Sequence, residues 1–583
     1  MISRRKLLQG SGAGAAAALS SAVGASSVET SAAKKIHWHN TYDVVVCGSG
    51  AAGSAAALFA AKLGASVAVL EKSSAWGGTT GKSGFHIWIP NNFELRKQGI
   101  HDDKRSCLEY IAQYSYPHLF NTEHPTLGIP ANNFALLETF YDQAAPTIEQ
   151  IMQWDVCQFG TARLDQQGTL GPDYFEHSPY NKVPIGRGLE PRGPGSSHWV
   201  GTDVVLAFRE ALRELNVAIK MRHRATGVHR NSQGQVIGIT AEDNQGQTLN
   251  IRARRGVVFG TGCFSHNKNL MDQFQLLPVS GGCAVPTNEG DFIPIASELG
   301  AQLGNMSGAW RAQVILEQSI AYKSVLSAVF WPTGDSMLIV NKYGQRCINE
   351  KRNYNDRAKA LYHYDANRCE YPNMINMMIY DQRCADLNSY NFPIPPRSDI
   401  EDFVVKGDSL KELSQAIAER LEKVKAHTGM MTLDKDFSDN LINSVQRFNS
   451  MAKAGVDQDF GRGSYDYDKE WYKIFDKRND PRWPDKPYSD NATMYPLQSE
   501  GPYYAIILGP GTLGTNGGPV TNPQGEVINY QNQVIEGLYA AGNCMAHPAA
   551  NAYWAAGATI GTALTFGRIA GESAAKATIK TDS

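Results

Sequence analysis

The 583-residue chain contains no C-x-x-C pair, and its nine cysteines are scattered and odd in number. That disfavours a zinc ribbon and a thioredoxin-type redox pair. No C-x-x-C-H occurs either, so no haem is expected on a covalent link. Neither sign of charge dominates: 55 Lys and Arg stand against 57 Asp and Glu. Such a balance calls for neither a nucleic-acid backbone nor an anionic membrane surface. No internal repeat is found, and no stretch is expected to span a membrane. Charged residues make up only 19% and hydrophobic ones 42%, the balance of a well-cored protein rather than a disordered one. At roughly 100–200 residues per domain, the length implies two or more domains. Glycine, by contrast, is plentiful at 55 residues, and it gathers into a few dense clusters along the chain.

Ser3-Arg4-Arg5-Lys6-Leu7-Leu8 precedes an uncharged Gly/Ala/Ser stretch from Gly10 to Ser27. A paired arginine, a weakly apolar run and small residues form the twin-arginine export pattern. Residues 1–35 are therefore expected to be an address segment, with the protein acting in the periplasm or otherwise outside the cytoplasm. That route carries folded proteins, which suits one that traps a cofactor before export.

Tyr42 to Cys47 is a β-branched run of the kind that forms a buried parallel strand. Gly48-Ser49-Gly50-Ala51-Ala52-Gly53 follows, then an Ala/Leu-rich helical stretch to Gly64 and a second strand from Ser66 to Leu70. The three glycines allow a tight turn, close approach of a pyrophosphate, and tight helix–strand packing. The helix N-terminus offers free N–H groups to phosphates. Glu71 stands 18 residues past Gly53, where a carboxylate accepts ribose hydroxyls. Lys72 and the stretch Gly77-Gly78-Thr79-Thr80-Gly81-Lys82-Ser83-Gly84 would let the chain run along an extended cofactor. Far downstream, Gly537 to Asn543 reads as another strand ending in a polar turn, and a helix begins near Gly557. A chain that returns so late to one dinucleotide site suits a flavoprotein better than an NAD enzyme.

The segments 43–92, 185–191, 253–267, 286–308, 336–358 and 502–572 resemble the fumarate reductase/3-ketosteroid dehydrogenase superfamily of FAD enzymes. Gly77-Gly-Thr-Thr-Gly-Lys-Ser-Gly followed by Ile87-Trp88-Ile89-Pro90, and Gly542-Asn543 followed by Tyr553-x-x-x-Gly557-Ala-Thr-Ile-Gly561, are similar to the 3-ketosteroid Δ1-dehydrogenase branch. The resemblance implies that Tyr553 and the Gly557 N–H polarise a substrate ketone. It implies that Tyr354, after the V-N-x-x-G-x-R-x-x-N-E segment Val340–Glu350, is the base. It also assigns a third tyrosine ahead of Gly186-Arg187-Gly188-Leu189-Glu190-Pro191, for which Tyr174 is the candidate. Candidate FAD contacts are Gly48, Gly50, Ala52, Gly53, Glu71 and Lys72, then Gly78, Thr79, Thr80, Ser83 and Gly84, then Gly262, and finally Gly542, Asn543, Thr559 and Ile560. The FAD is expected to be non-covalent, since no residue is assignable to a flavin bond. Two departures stand out. Trp554-Ala555-Ala556 replaces the family's proline-glycine-proline run, so a changed pocket wall is expected, and Gly561-Thr562 replaces its Gly-Pro.

Removing an α-proton and a β-hydride next to a ketone places charge on the ketone oxygen, and a phenol plus a backbone N–H make a two-donor site for it. A tyrosinate base implies a lowered phenol pKa or an alkaline optimum, because a free phenol titrates near about 10. In enzymes resembling fumarate reductase an arginine occupies the register held here by Tyr354, whereas Arg352 and Arg357 miss it. No metal is expected: His37-Trp38-His39 offers two ligands without a third. His547 is expected to pack or to hydrogen-bond, and Leu410–Lys425 to form a surface helix.

The expected class is α/β: a Rossmann-like doubly wound FAD-binding domain in two separated segments, 40–305 and 501–575, with an inserted α+β substrate domain at 306–500. Gln235–Ala253 is expected to form a hairpin, and Arg254–Gly262 the next parallel strand with its phosphate-side turn. The leading expectation is dehydrogenation of a 3-oxosteroid (Δ1 or Δ4), with a quinone or an electron-transfer protein as external acceptor. The alternatives are an exported reductase of a conjugated C=C bond, a dehydrogenase of a smaller cyclic ketone, and a non-enzymatic FAD-binding protein.

Overall fold

The computed structural model describes residues 36–162, 171–473 and 489–582. The export pattern at 1–35 lies outside the described residues. From Trp38 onward the chain is organised around two sheets.

The first sheet is built on the β-branched strand Asn40–Cys47, whose residues Val44–Cys47 are fully enclosed. It pairs in parallel with Val67–Glu71 on one side and Thr248–Phe259 on the other. Ala218–Met221 extends one edge, and Val534–Ala540 followed by Glu526–Ile528 extends the other. The hairpin at 236–253 is present, with one change. Thr248–Phe259 is a single strand, antiparallel to Val236–Asp243 in its first half and parallel to Asn40–Cys47 along its length. The hairpin arm and the parallel strand expected as two elements are thus one, because no glycine or proline breaks Thr248–Arg255.

The second sheet centres on Tyr503–Thr515, flanked by Asn376–Asp381, Met337–Val340, Ala309–Ile315, Val404–Gly407 and Gly281–Gly282. The long apolar strand Tyr503–Thr515 hydrogen-bonds within this sheet, so the chain returns to the first sheet at Glu526 rather than at 501. A small third sheet joins Ile87–Trp88, Gly188–Arg192 and Gln158–Thr161. Leu410–Val424 is an amphipathic surface helix, burying Leu413, Ile417 and Leu421.

The helix Ala51–Lys62 covers the first sheet, and the last helix, Ala558–Lys576, lies directly against it. The contact is backbone on backbone. A Cβ added at Gly567 would stand 2.4 Å from the Ala52 carbonyl oxygen, and one at Gly571 would stand 2.2 Å from that of Ala56. Glycines at i and i+4 therefore let two residues spaced equally on the partner helix approach. Among the described residues, no helix is long and apolar enough to cross a membrane. Gly571→Val forces these helices apart and is expected to destabilise the protein by about 3 kcal/mol or more, the upper end of overpacking. The check is the thermal midpoint of the variant, which should fall by several degrees.

Candidate active site

A cavity of about 710 Å³ runs from the first strand–helix turn to the start of the last helix. Its wall contains Tyr174, Tyr354, Tyr553 and Gly557, and every proposed cofactor contact except Gly53. Gly53 instead packs under the turn, where a Cβ would stand 1.9 Å from the Gly48 carbonyl oxygen. It serves the helix–strand packing expected of a third glycine.

At the dinucleotide end, Glu71 is buried at the tip of its strand. One carboxylate oxygen accepts the Ser49 N–H (3.1 Å) and hydroxyl (2.6 Å), and the other accepts the Ser73 N–H (2.7 Å). Ser49 Oγ in turn accepts the Gly77 N–H at 2.8 Å, tying the first turn to the glycine-rich stretch. Lys72 lines the cavity, but its ammonium is held by Glu289 (2.6 Å) and Asp291 (2.9 Å). Asn288, which the sequence reading did not single out, donates to Thr79 Oγ1 (3.0 Å) and accepts the Cys263 N–H (3.0 Å), so it links the 78–84 stretch to the turn at Gly262. It sits in a polar loop with no motif to mark it.

At the other end three tyrosine rings enclose one point of the wall. Their centroids are 5.4 Å (Tyr174–Tyr354), 5.5 Å (Tyr354–Tyr553) and 5.6 Å (Tyr174–Tyr553) apart. Each comes from a different part of the chain, held by its own device. Tyr354 opens the helix Tyr354–Lys359, which Asn353 caps by accepting the Asp356 N–H. Ahead of it, buried Glu350 anchors the loop through Arg346 (2.9 and 2.8 Å). The Tyr174 N–H donates to Trp554 O at 2.9 Å, while neighbouring Asp173 accepts from Trp88 Nε1 and from the fully buried Arg187. Tyr553 packs on Trp310 at 5.1 Å, and Trp310 Nε1 donates to Asn543 Oδ1 at 3.1 Å. Trp310 was missed because a lone tryptophan in an apolar strand carries no sequence signal of its placement.

Gly557 caps the last helix at φ +91°. A Cβ there would strike the His86 carbonyl and the Ile87 nitrogen at 2.3–2.4 Å, so conformation and space both require glycine. Among the described residues no acceptor takes its N–H, and Gly557 lines the cavity at the start of the helix, where first-turn N–H groups lack intrahelical partners. Among the described residues the Tyr174 hydroxyl likewise closes no hydrogen bond of normal geometry.

Burial pushes the Tyr354 phenol well above its ordinary range, and the Tyr174 and Tyr553 phenols beside it add to the rise. Burial likewise raises Tyr174. The direction of both shifts is opposite to the lowered phenol pKa that was one of the two expectations. Of the three residues that replace the family run, two line the pocket wall and one does not. Trp554 is turned away into the core, donating to Ser115 Oγ (3.0 Å) and packing on Trp88, and only Ala555 and Ala556 face the cavity. Thr562, the other departure, meets His547 Nε2 at 2.7 Å, and His547 Nδ1 accepts the Ala549 N–H. Burial lowers the His547 pKa to about 3, so the ring is neutral and ties the Tyr553 loop to the last helix.

The residues fit an extended dinucleotide. A Cβ at Gly78 would meet no protein atom within 4 Å, so the backbone there is bare to the cavity. The Glu71 oxygen that accepts only the Ser73 N–H retains a free lone pair for a ribose hydroxyl. Glu71→Gln keeps the shape but loses the charge-assisted bonds, and is expected to weaken cofactor retention by about 1.5–3 kcal/mol. The ratio of flavin to protein after gel filtration is the measurement, and an unchanged ratio removes Glu71 from the site.

Residues 43–560 match the family model described as "FAD binding domain". The chain is 30% identical to the 3-oxosteroid 1-dehydrogenase of Mycolicibacterium smegmatis, over 91% of this chain and 96% of that protein. It is also 30% identical to the 4-oxocyclohexanecarboxylate 2-dehydrogenase of Sinomonas cyclohexanicum, over 92% and 93%. Among solved structures, the 3-ketosteroid Δ1-dehydrogenase of Sterolibacterium denitrificans superposes with a TM-score of 0.73 at 26% identity, covering 92% of this chain and 99% of that one. The chain belongs to the FAD-binding flavoproteins of the fumarate reductase/succinate dehydrogenase group, in their 3-ketosteroid dehydrogenase branch, and FAD is its cofactor.

Proposed function

We propose that the protein dehydrogenates a 3-oxosteroid, placing a C=C bond in conjugation with the ketone at Δ1. The carrying observation is the ring of three tyrosines that lines the dinucleotide cavity together with Gly557, whose N–H has no acceptor among the described residues. The substrate class is supported by the activity named for the mycobacterial relative and for the Sterolibacterium structure.

In this reading the ketone oxygen accepts from the Tyr553 hydroxyl and the Gly557 N–H. The α C–H bond breaks toward the Tyr354 phenolate oxygen, and its electron pair runs into an enolate whose oxygen those two donors hold. The Gly557 donor is backed by the dipole of a 19-residue helix. Tyr174 stands edge-on to Tyr354 and supports it. The β-hydrogen leaves with its electron pair, and bound FAD supplies the hydride acceptor. A neutral ketone suits a phenolic site, whereas a dicarboxylate would suit a guanidinium in the Tyr354 register. The flavin is held without a covalent bond and passes its electrons to a quinone or an electron-transfer protein. Export through the Arg4-Arg5 signal belongs to the same reading, and a fused reporter should remain cytoplasmic when both arginines become lysine.

Anaerobic mixing of the yellow protein with 3-oxosteroids, 4-oxocyclohexanecarboxylate and fumarate (the last with reduced dye) tests the reading. Flavin bleaching by the steroid with a Δ1 product supports it, while robust fumarate turnover or a strict preference for the small ring ketone overturns it. Tyr553→Phe should keep full flavin content and lose about two orders of magnitude or more in turnover. Tyr354→Phe should abolish α-deuterium exchange while ligand binding persists. Because the base works deprotonated and burial raises its pKa, the rate of flavin reduction should climb with pH up to and past the ordinary phenol value of about 10. It should fall as the pH drops, and a flat profile from neutral upward sinks Tyr354 as the base.

A further inference from the structure

Three cations grip the backbone of one stretch of the cavity wall, residues 324–334. At its inner end Arg357, on the Tyr354 helix, donates to the carbonyls of Val329 (2.6 Å) and Phe330 (3.4 Å). Buried Lys351 donates to the carbonyls of Pro332 (2.6 Å) and Gly334. At its outer end stands Lys82, the last residue of the short helical turn Gly78–Lys82 in the glycine-rich stretch. The Lys82 ammonium donates to Ser324 Oγ (2.6 Å), Val325 O (3.0 Å) and Cys283 O (3.0 Å). An ammonium has three N–H donors, and three neutral acceptors meet them here, so Lys82 is spent on the wall rather than kept for a cofactor phosphate. Ser324 Oγ also donates to Cys283 O at 3.3 Å. The Val325 N–H donates to Gly282 O at 3.0 Å, which ties this end to the second sheet.

Between its two ends the stretch faces the cavity with Leu326, Ser327, Phe330 and Trp331. The Phe330 ring packs on Tyr354 at 4.8 Å, so this part of the wall lies beside the proposed base. Leu326 differs: it lines the cavity while 91% exposed, which sets an isobutyl group in water at the mouth. The four-residue step from Phe330 to Leu326 spans up to about 14 Å along the chain. The wall therefore runs from the ketone end outward and is apolar at both ends. An apolar ligand that covers Leu326 removes its surface from water, which is favourable. The Val325 carbonyl belongs to the peptide plane that carries the Leu326 nitrogen, so the Lys82 bond fixes the plane from which that side chain departs.

We propose that Lys82 is a positioning residue for substrate selection: it holds Leu326 as an apolar lip on which the rings of a fused-ring ketone far from the carbonyl rest, and which a single-ring ketone does not reach. The inference rests on the proposed oxidation of a 3-oxosteroid and adds the residue pair that tells such a substrate from a smaller ring ketone. The two buried cations do not share this role. Arg357 and Lys351 hold the wall on the Tyr354 side, and losing either leaves buried carbonyls without a donor, which affects large and small ketones alike.

The test uses the holoenzyme, with flavin content, kcat and KM measured for a 3-oxosteroid and for cyclohexanone, the latter as substrate or as competitive inhibitor. Lys82 and Leu326 are both exposed, so replacing them is compatible with folding. Lys82→Met keeps the length of the side chain and removes its donors. It should leave the ratio of flavin to protein unchanged and raise the steroid KM about tenfold, with kcat within a few-fold and the cyclohexanone constant unmoved. Lys82→Arg, which keeps donors, should recover most of the steroid KM. Leu326→Ala should raise the steroid KM by a similar factor, and the double variant should be no worse than either single one, because both remove the same lip. Loss of flavin from Lys82→Met would make Lys82 a cofactor ligand and overturn the inference. So would equal effects on the two ketones, a Leu326→Ala enzyme with the steroid KM of the parent, or effects that multiply in the double variant. A parent enzyme that oxidises no 3-oxosteroid brings down the proposed function itself, and this inference with it.

Discussion

The structure depends on how closely two helices approach. Gly567 and Gly571 leave the last helix no side chains on the face that meets Ala52 and Ala56. That contact sets the start of the last helix, and hence Gly557 and the Tyr553 loop, beside a turn near the beginning of the first sheet. Residue separation of this order makes the contact expensive in loop entropy, although the cost grows only slowly with length. Many small apolar contacts offset it: Ala51–Ala60 are buried without exception, and the last helix buries most of its residues from Ala558 to Ala574. The site is thus assembled by packing, and its donors inherit the rigidity of that packing.

The substrate end uses a different physics. Each tyrosine is almost wholly buried, and burial works against ionisation of a phenol. Three phenols within 5.6 Å of one another compound the difficulty, since a charge on one disfavours a charge on the next. The same arrangement, however, keeps water away and fixes the rings by mutual edge-on and tilted contacts. In the proposed reaction, exclusion of water would strengthen the two donors assigned to the ketone oxygen. A high proton affinity at the Tyr354 phenol and, in the proposed reaction, a strong oxyanion site are therefore two consequences of one choice, the exclusion of solvent.

Much of the first sheet was legible because the glycine spacing, the β-branched strand and the carboxylate at its second neighbour obey local rules. The helix ends at Lys62 and the strand at Glu71 follow from Gly64 and from the alternation of apolar runs. The placement of Tyr503–Thr515 in the second sheet was not legible, because an apolar run bears no mark of its partner strands. The turn of Trp554 into the core had the same origin: a residue that differs from a family pattern announces a change but not its direction. Thr562 and His547 each departed from or escaped the motif reading, and only their 2.7 Å contact reveals them as a pair. Asn288 and Trp310 contribute through hydrogen bonds that join distant segments, which no local window contains.

The buried ions follow the same division between what folds the chain and what aims the site. Behind the Tyr354 helix, Arg346 bridges Glu350 (2.8 Å) and Asp457 (2.9 Å), and Arg462 adds a contact to Glu350 while donating to the carbonyls of Asp335, Met337 and Thr493. Replacing such sets with well-packed apolar residues is often neutral or stabilising, so their presence is weak evidence for a stability role. Their geometry argues for another. Glu350 also accepts the Ile339 N–H from the second sheet, which fixes the loop after that strand in one register. Charge-assisted bonds are directional where apolar contacts are not. Four residues further on stands Tyr354, and an angular error in the Glu350 loop would be carried straight into its phenol. The ionic cluster therefore holds a direction that hydrophobic packing leaves undetermined, in the loop that leads from the second sheet to Tyr354.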